Sequence, residues 1–299
     1  MYERELKEML DKMAVFEKAF DKGRLIDPIK RKVLDIKDNK IIDSGNDCFE
    51  FWEKKDVCDN CIAMRAYSEN DTFIKIEYSK EEIYVLTAIP VEIEGRIVVV
   101  ELLKKATNSI TFGSDQQELK ADIHKMIDNL NNVALKDSLT GIYNRRYMNE
   151  RMPVDIKNEE LSGNSITIIM ADLDLFKHIN DTYGHLNGDC VLRSFAEILQ
   201  NGLKRSNDWV ARYGGEEFLI CMPGADLKLS METAERMRQA LEETEMDCGG
   251  FRFRITASFG VFSTIPGAET TMFDMIENAD KMLYEAKHKG RNRVEGYSE

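Results

Sequence analysis

The run Val210-Ala211-Arg212-Tyr213-Gly214-Gly215-Glu216-Glu217-Phe218-Leu219-Ile220-Cys221 most narrows the folds open to this chain. Two short apolar runs joined by Gly-Gly predict a β-hairpin, because glycine accepts the positive φ that tight hairpin turns demand. The two glutamates then sit at the turn. Bare glycines let a phosphate or a flat base approach the backbone, and paired carboxylates suit a hard cation such as Mg²⁺. A surface hairpin with solvated acids has the same local pattern, so its neighbours must decide between the two readings.

From residue 137 onward strand and helix patterns alternate. The spacing predicts a buried strand over 165–170, helices over 188–201, 230–243 and 272–289, and a strand pair edge over 251–262. That order describes an α/β (α+β) sandwich, with helices covering a mostly antiparallel sheet. Directly after the first strand come Asp172-Leu173-Asp174-Leu175-Phe176-Lys177, then Asn180, His185, Gly188 and Asp189. Acids at a strand end that face an acidic hairpin tip form a candidate cation site, where a cation would bridge nucleotide phosphates. Lys177 adds positive charge, and Asn180 with Asp189 supplies the amide and carboxylate that suit a purine edge, guanine in particular.

The amino-terminal half has a different texture. Leu6, Met9, Leu10, Met13, Phe16 and Phe20 fall at helical spacing and predict an amphipathic helix ending near Gly23. Val33 to Ile36 and Lys40 to Ile42 flank the turn dipeptide Asp38-Asn39, a first hairpin. A cysteine-bearing helical segment over 47–67 precedes strands over 72–78, 83–91 and 96–103, the last pair joined by Glu94-Gly95. Two strands, a helical excursion and three strands resemble the order of a PAS sensory domain. Ser114 with Gln117 opens a capping box, and Leu119, Ile123, Met126, Leu130 and Val133 predict a helix of about six turns. Its spacing suits either a parallel coiled coil between two protomers or packing on its own domain. The expected organisation is a helix over 1–22, a PAS-like domain over 23–113, a signalling helix over 114–136 and a catalytic-type domain over 137–299.

Charge and cysteine content set further bounds. A net charge of −13 argues against a bulk nucleic-acid binder. The longest apolar run is too short to span a bilayer and the first residues lack a leader pattern, so a cytoplasmic protein with no nucleic-acid or membrane partner is expected. Six cysteines are then expected as thiols or metal ligands rather than disulfides. Cys58 and Cys61 form a CxxC pair with Cys48 ten residues earlier, which suits Zn²⁺ with Asp47, Asp59, water or an exogenous ligand as the fourth. A redox dithiol, a partial iron–sulfur site and buried apolar thiols are the other readings. Cys190, Cys221 and Cys248 fit the apolar pattern as structural residues.

The segments Asp137-Ser138-Leu139-Thr140-Gly141, Asn144-Arg145-Arg146, residues 172–189, residues 212–218, Ala257-Ser258-Phe259-Gly260 and residues 279–293 resemble, in order, the motifs of a GGDEF diguanylate cyclase, here as the GGEEF variant. The resemblance implies condensation of two GTP molecules into cyclic di-GMP, with one GTP per domain and two domains facing each other in a homodimer. It further implies Mg²⁺ or Mn²⁺ at Asp172, the Leu173 carbonyl, Glu216 and Glu217, and one of the two glutamates as base. Lys177 would stabilise phosphate charge, Asn180 and Asp189 would read guanine with His185 nearby, and Lys287 and Arg291 would reach the terminal phosphates. Arg205 and Asp208 match the spacing of the family's RxxD product-inhibition site, with Arg236 from the next helix. The sensory ligand of the amino-terminal domain is left open. A catalytically silent module binding GTP or cyclic di-GMP is the alternative reading.

Overall fold

The computed structural model describes residues 20–37, 40–53, 58, 61–79, 82–93, 95–106 and 135–299. The chain divides into two compact units on either side of residue 131. The expected amino-terminal helix, and the signalling helix over 114–136 apart from its last two residues, lie outside the described residues.

In the first unit the strands are β1 (Lys22–Asp27), β2 (Lys32–Lys37), β3 (Lys40–Asp47), β4 (Phe73–Ser79), β5 (Glu82–Ile93) and β6 (Arg96–Lys105), with helix α1 (Ile62–Glu69) between β3 and β4. They form one antiparallel sheet in the order β3-β2-β1-β6-β5-β4. The expected hairpin and the three later strands are present. Three strands precede the helical excursion rather than two, because Gly23, expected near a helix end, lies inside β1. Alternation there is masked by Arg24, which is buried although charged and is held by Glu101 on the neighbouring strand. Among the described residues of the expected helical segment over 47–67, a 3-10 turn at Glu50–Trp52 and the start of α1 are helical. Period-two alternation sends Ile26, Leu86, Ala88, Val99 and Leu103 to one face with Trp52, Ile62 and Ala66. Leu25, Leu34, Val98, Val100 and Leu102 take the other.

The second unit runs α2 (Arg145–Ser162), β7 (Ile166–Leu173), α3 (Phe176–Tyr183), α4 (His185–Gly202), β8 (Trp209–Gly214), β9 (Glu217–Pro223), α5 (Leu227–Glu243), β10 (Met246–Cys248), β11 (Phe251–Phe253), β12 (Ala257–Thr264), α6 (Met272–His288) and β13 (Val294–Ser298). Its sheet has the order β13-β12-β7-β9-β8, antiparallel except for the β12–β13 pair. β7 is central and every residue in it is buried. That is why its sequence reads as a continuous apolar run rather than an alternation. Its isoleucines, fully buried, each contribute about 1.5–3 kcal/mol. One face packs Phe195, Phe218, Phe259 and Met237 under α4 and α5, and the other packs Met148, Met152, Phe262 and Leu283 under α2 and α6. Gly260 makes the α6 contact possible: a Cβ there would collide with the Ala279 carbonyl and the Leu283 amide.

The expected hairpin is β8–β9, with Gly215 and Glu216 at its turn. The expected edge over 251–262 is two strands in different sheets, since β11 pairs with β10 in a separate ribbon. The ribbon is tied to α4 by a Cys190–Cys248 disulfide with Cα atoms 5.9 Å apart, which corrects the expectation of thiols throughout. Sequence distance hid this pair, because the fold brings residues 58 positions apart together. Cys221 is fully buried, and burial pushes its thiol up. Among the described residues no helix is long and apolar enough to cross a membrane.

Candidate functional site

The carboxyl end of β7 places its acids by register. Asp172 stands opposite Glu217 on β9 and opposite Ser258 on β12. Glu217 is thus the first residue of β9, one step inside the turn, while Glu216 occupies the turn itself. Asp172 is nearly buried, and its carboxyl is pushed up to about 6 by burial; Lys287 opposes the shift while Glu216 and Glu217 add to it. The Lys287 ammonium, from the last turn of α6, lies 2.9 Å from Asp172 Oδ1. Burial also raises Glu217, with Lys287 opposing and Asp280 and Glu216 adding to the rise.

Among the described residues no group of three or more His, Cys, Asp or Glu side chains is gathered to hold a metal ion. This separates the two metal expectations. A structural zinc site needs four protein-derived ligands or nearly so. Cys48, Cys58 and Cys61 border the apolar cluster under α1, and burial, followed by the neighbouring Cys61, pushes the Cys48 thiol up. The described residues thus lend no support to zinc at these cysteines. Mg²⁺ by contrast is commonly held by one or two carboxylates plus substrate phosphates. Adjacent Asp172 and Glu217, both raised chiefly by burial, with Glu216 beside them, fit that requirement.

The remaining residues surround this edge. Lys177 is exposed in the first turn of α3, and His185 is exposed as the first residue of α4. Asn180 on α3 lies against α4 at Gly188, where a Cβ would collide with the Asn180 amide oxygen. Glycine at that point lets Asn180 sit beside the turn that carries Asp189, so the two purine-edge residues share one corner. Arg291 is exposed in the loop after α6. The hairpin is braced from outside: Arg212 donates from Nε and Nη2 to the Gly215 carbonyl at 3.0 and 2.8 Å and from Nη1 to Asp137 Oδ1 at 3.1 Å. Burial alone would raise Asp137, but hydrogen bonds from Thr140 and Arg212 hold its carboxyl low.

The second cluster lies between α4 and β8. Arg205 Nη2 donates to the Pro223 carbonyl at 2.7 Å, and its Nη1 stands 3.6 Å from Asp208 Oδ1. Both of the latter atoms are buried without a hydrogen-bond partner. Burial pushes Asp208 up to about 6 against the pull of Arg205. Arg236 on α5 donates to the Gly202 carbonyl, three residues before Arg205.

Sequence reasoning singled out neither Asp280 nor Arg145 as individuals, although both lie in segments that carry the resemblance. The structure sets both near Glu217, with Arg145 also 4.4 Å from the Tyr213 ring centre. It likewise gave no role to Asp174, whose carboxylate is buried and fully engaged.

Comparison with known proteins agrees with this geometry. Residues 134–293 match the family model "Diguanylate cyclase, GGDEF domain". The chain is 35% identical over 239 residues to the response regulator PleD of Caulobacter vibrioides, covering 75% of this chain and 52% of PleD. It is 42% identical over 164 residues to diguanylate cyclase VdcA of Vibrio cholerae, covering 54% and 46%. The chain thus spans about half the length of these relatives. The coiled coil and GGDEF domain of DgcB from Caulobacter crescentus, solved with cyclic di-GMP, superposes with a TM-score of 0.54 at 27% identity, covering 60% of this chain and 96% of that one.

Proposed function

The chain belongs to the GGDEF diguanylate cyclase family, and from that premise we propose that it condenses two GTP molecules into one cyclic di-GMP with release of two pyrophosphates. The observation that carries the proposal is the carboxylate group at the end of β7, Asp172 against Glu217 with Glu216 beside them, faced by Lys287.

Asp172, the Leu173 carbonyl, Glu216 and Glu217 would hold Mg²⁺ or Mn²⁺. Such an ion supplies charge neutralisation at the phosphates and lowers the cost of forming an alkoxide. Asn180 and Asp189 accept and donate along the guanine edge, with His185 at the rim, and so fix the base. The 3′-hydroxyl of one GTP attacks the α-phosphorus of the other, and Glu216 or Glu217 takes the hydroxyl proton. Lys177 stabilises the charge that develops on the α-phosphate, the electrostatic contribution on which phosphoryl transfer rests most. Lys287 exchanges its carboxylate partner for the terminal phosphates, and Arg291 holds them with it until they leave as pyrophosphate. Each domain supplies half of the product, so two copies must meet face to face.

Arg205, Asp208 and Arg236 form the proposed product-inhibition site. An Arg fork and a carboxylate with unused hydrogen-bonding capacity suit the phosphate and guanine of cyclic di-GMP. The six-stranded first unit is proposed as a PAS-like regulatory domain that acts through residues 114–136 on how two catalytic domains meet.

Incubating the purified chain with GTP and Mg²⁺ and separating the products by chromatography tests the proposal. Cyclic di-GMP and pyrophosphate in a one-to-two ratio are expected. Recovery of unreacted GTP, also from residues 137–299 fused to a strong dimerising coil, would favour a silent binding module instead.

A further inference from the structure

Two residues beyond Asp172, Asp174 is also buried, and its carboxylate is engaged by a different set of partners. Its Oδ1 accepts from Ser258 Oγ at 2.7 Å, and its Oδ2 accepts from Thr256 Oγ1 at 2.7 Å and from the Asn292 amide at 3.0 Å. Its own amide donates to the Thr256 carbonyl at 2.8 Å. A solvated acid at a strand end would make none of these bonds. The carboxylate therefore joins the ends of β7 and β12 to the loop that follows α6.

That loop is in an unfavourable conformation. Arg291 and Asn292 are consecutive non-glycine residues with φ of 64° and 48°. Such residues persist in the left-handed region only where their surroundings over-determine them. Asn292 is gripped from both sides: Asp174 holds its amide, while its side chain accepts from Arg238 Nη1 at 2.7 Å and donates to Glu242 Oε1 at 2.8 Å on α5. The Arg291 amide meanwhile closes the end of α6 on the Ala286 carbonyl at 3.0 Å. The grip thus sets the path of the chain at Arg291, one residue before the anchored amide and four after Lys287.

We propose that Asp174 is a positioning residue for the terminal phosphates of the nucleotide: by holding the Arg291–Asn292 turn it presents Arg291, together with Lys287, to the β- and γ-phosphates. This rests on the reading of Arg291 and Lys287 given above. The consequence is selective. Loss of Asp174 weakens ligands that carry β- and γ-phosphates and leaves recognition of the guanosine part, through Asn180 and Asp189, in place. A purely structural role would weaken both equally.

The test is calorimetric titration of the full chain, in Mg²⁺, with 3′-deoxy-GTP, which lacks the attacking hydroxyl, and with GMP. Asp174→Asn places an NH₂ either where Oδ2 accepts two hydrogen bonds or where Oδ1 accepts one, and in both cases removes the charge that strengthens the rest. The variant should bind 3′-deoxy-GTP about tenfold more weakly, the scale of one charge-assisted hydrogen bond, with GMP affinity unchanged within about twofold. Ser258→Ala, which removes one donor and leaves the carboxylate, should show the same selectivity at about threefold, and it decides the matter if Asp174→Asn fails to fold. Equal loss for both ligands, or no loss for either, overturns the proposal. Wild-type protein that binds neither nucleotide would overturn the nucleotide reading itself, a result separable from the first because it appears before any substitution.

Discussion

Asp172 at the end of β7 and Asp208 before β8 are both pushed up to about 6, chiefly by burial, and each faces one cation, Lys287 or Arg205. Their neighbours differ. Glu216 and Glu217 crowd Asp172 with further negative charge, whereas among the described residues no acid adds to the shift at Asp208. The first place holds more carboxylates than cations and is suited to a metal cation with phosphates. The second is balanced in charge but carries an unsatisfied donor and an unsatisfied acceptor, which suits a ligand offering both. Similar shifts therefore mark different chemistry, and the identity of the neighbours tells them apart.

The largest expected effect that sharpens this contrast is at the strand end. Asp172→Asn should lower the rate of cyclic di-GMP formation by about 10²–10³-fold, in the range seen for loss of one electrostatic contact in a reaction centre. A steady-state rate within threefold of wild type would remove Asp172 from the reaction. At the second place Arg205→Ala should raise the cyclic di-GMP concentration needed for half inhibition by more than about tenfold, the worth of a charge-assisted hydrogen bond pair. Dose–response curves that superimpose would break the assignment of Arg205 to inhibition.

The pH dependence separates the two next. Both carboxyls have raised values in the folded protein, so protonation favours the fold: their contribution is fully present below the unfolded carboxyl value of about 3.9 and is lost as pH rises through about 6. Without metal, the melting temperature relative to Asp172→Asn should therefore fall between pH 5 and pH 8. Mg²⁺ should recover that loss at pH 8 in wild type and in Asp208→Asn, but not in Asp172→Asn. Equal recovery in all three would place the cation elsewhere. The smallest effect concerns Asn158 on α2, whose two side-chain polar atoms are buried without partners. It lies one turn from Asp155, which accepts from the Trp209 indole at 2.8 Å, so it shares the face toward the start of β8. Asn158→Met should leave stability unchanged or raise it by about 1 kcal/mol in a chemical melt, and a loss larger than that would reveal a bound partner.

Much of the second unit was legible because its signals are local. The Gly-Gly hairpin, the unbroken apolar run of β7 and the helical periodicities of α4, α5 and α6 all appear at nearly the expected bounds. Helix α2 escaped because its buried face carries Asp155, paired with Arg151 and Trp209, and because Pro153 stands inside it. β13 is a short, mostly exposed edge strand with no apolar alternation to find. In the first unit the buried Arg24 hid β1 in the same way. At β1 and α2 a charged residue is buried because a partner compensates it, Glu101 for Arg24 and Trp209 with Arg151 for Asp155, and a single sequence does not show that pairing. The site follows the same rule. Asp172 and Glu217 could be named from their motifs, but the role of Asp174 depends on Thr256, Ser258 and Asn292, more than 80 positions away. The cysteine spacing has no counterpart in a gathered ligand group among the described residues, where burial raises the Cys48 thiol.

The most direct test of the account compares Glu217→Gln with Asp208→Asn in one assay, measuring cyclic di-GMP formed from GTP and Mg²⁺ over time. Glu217→Gln should form almost none from the start, while Asp208→Asn should form product and continue past the point at which wild type slows. Product formation by Glu217→Gln at the wild-type rate, or its loss in Asp208→Asn, would contradict the division of the molecule into a reacting site at the end of β7 and an inhibitory site before β8.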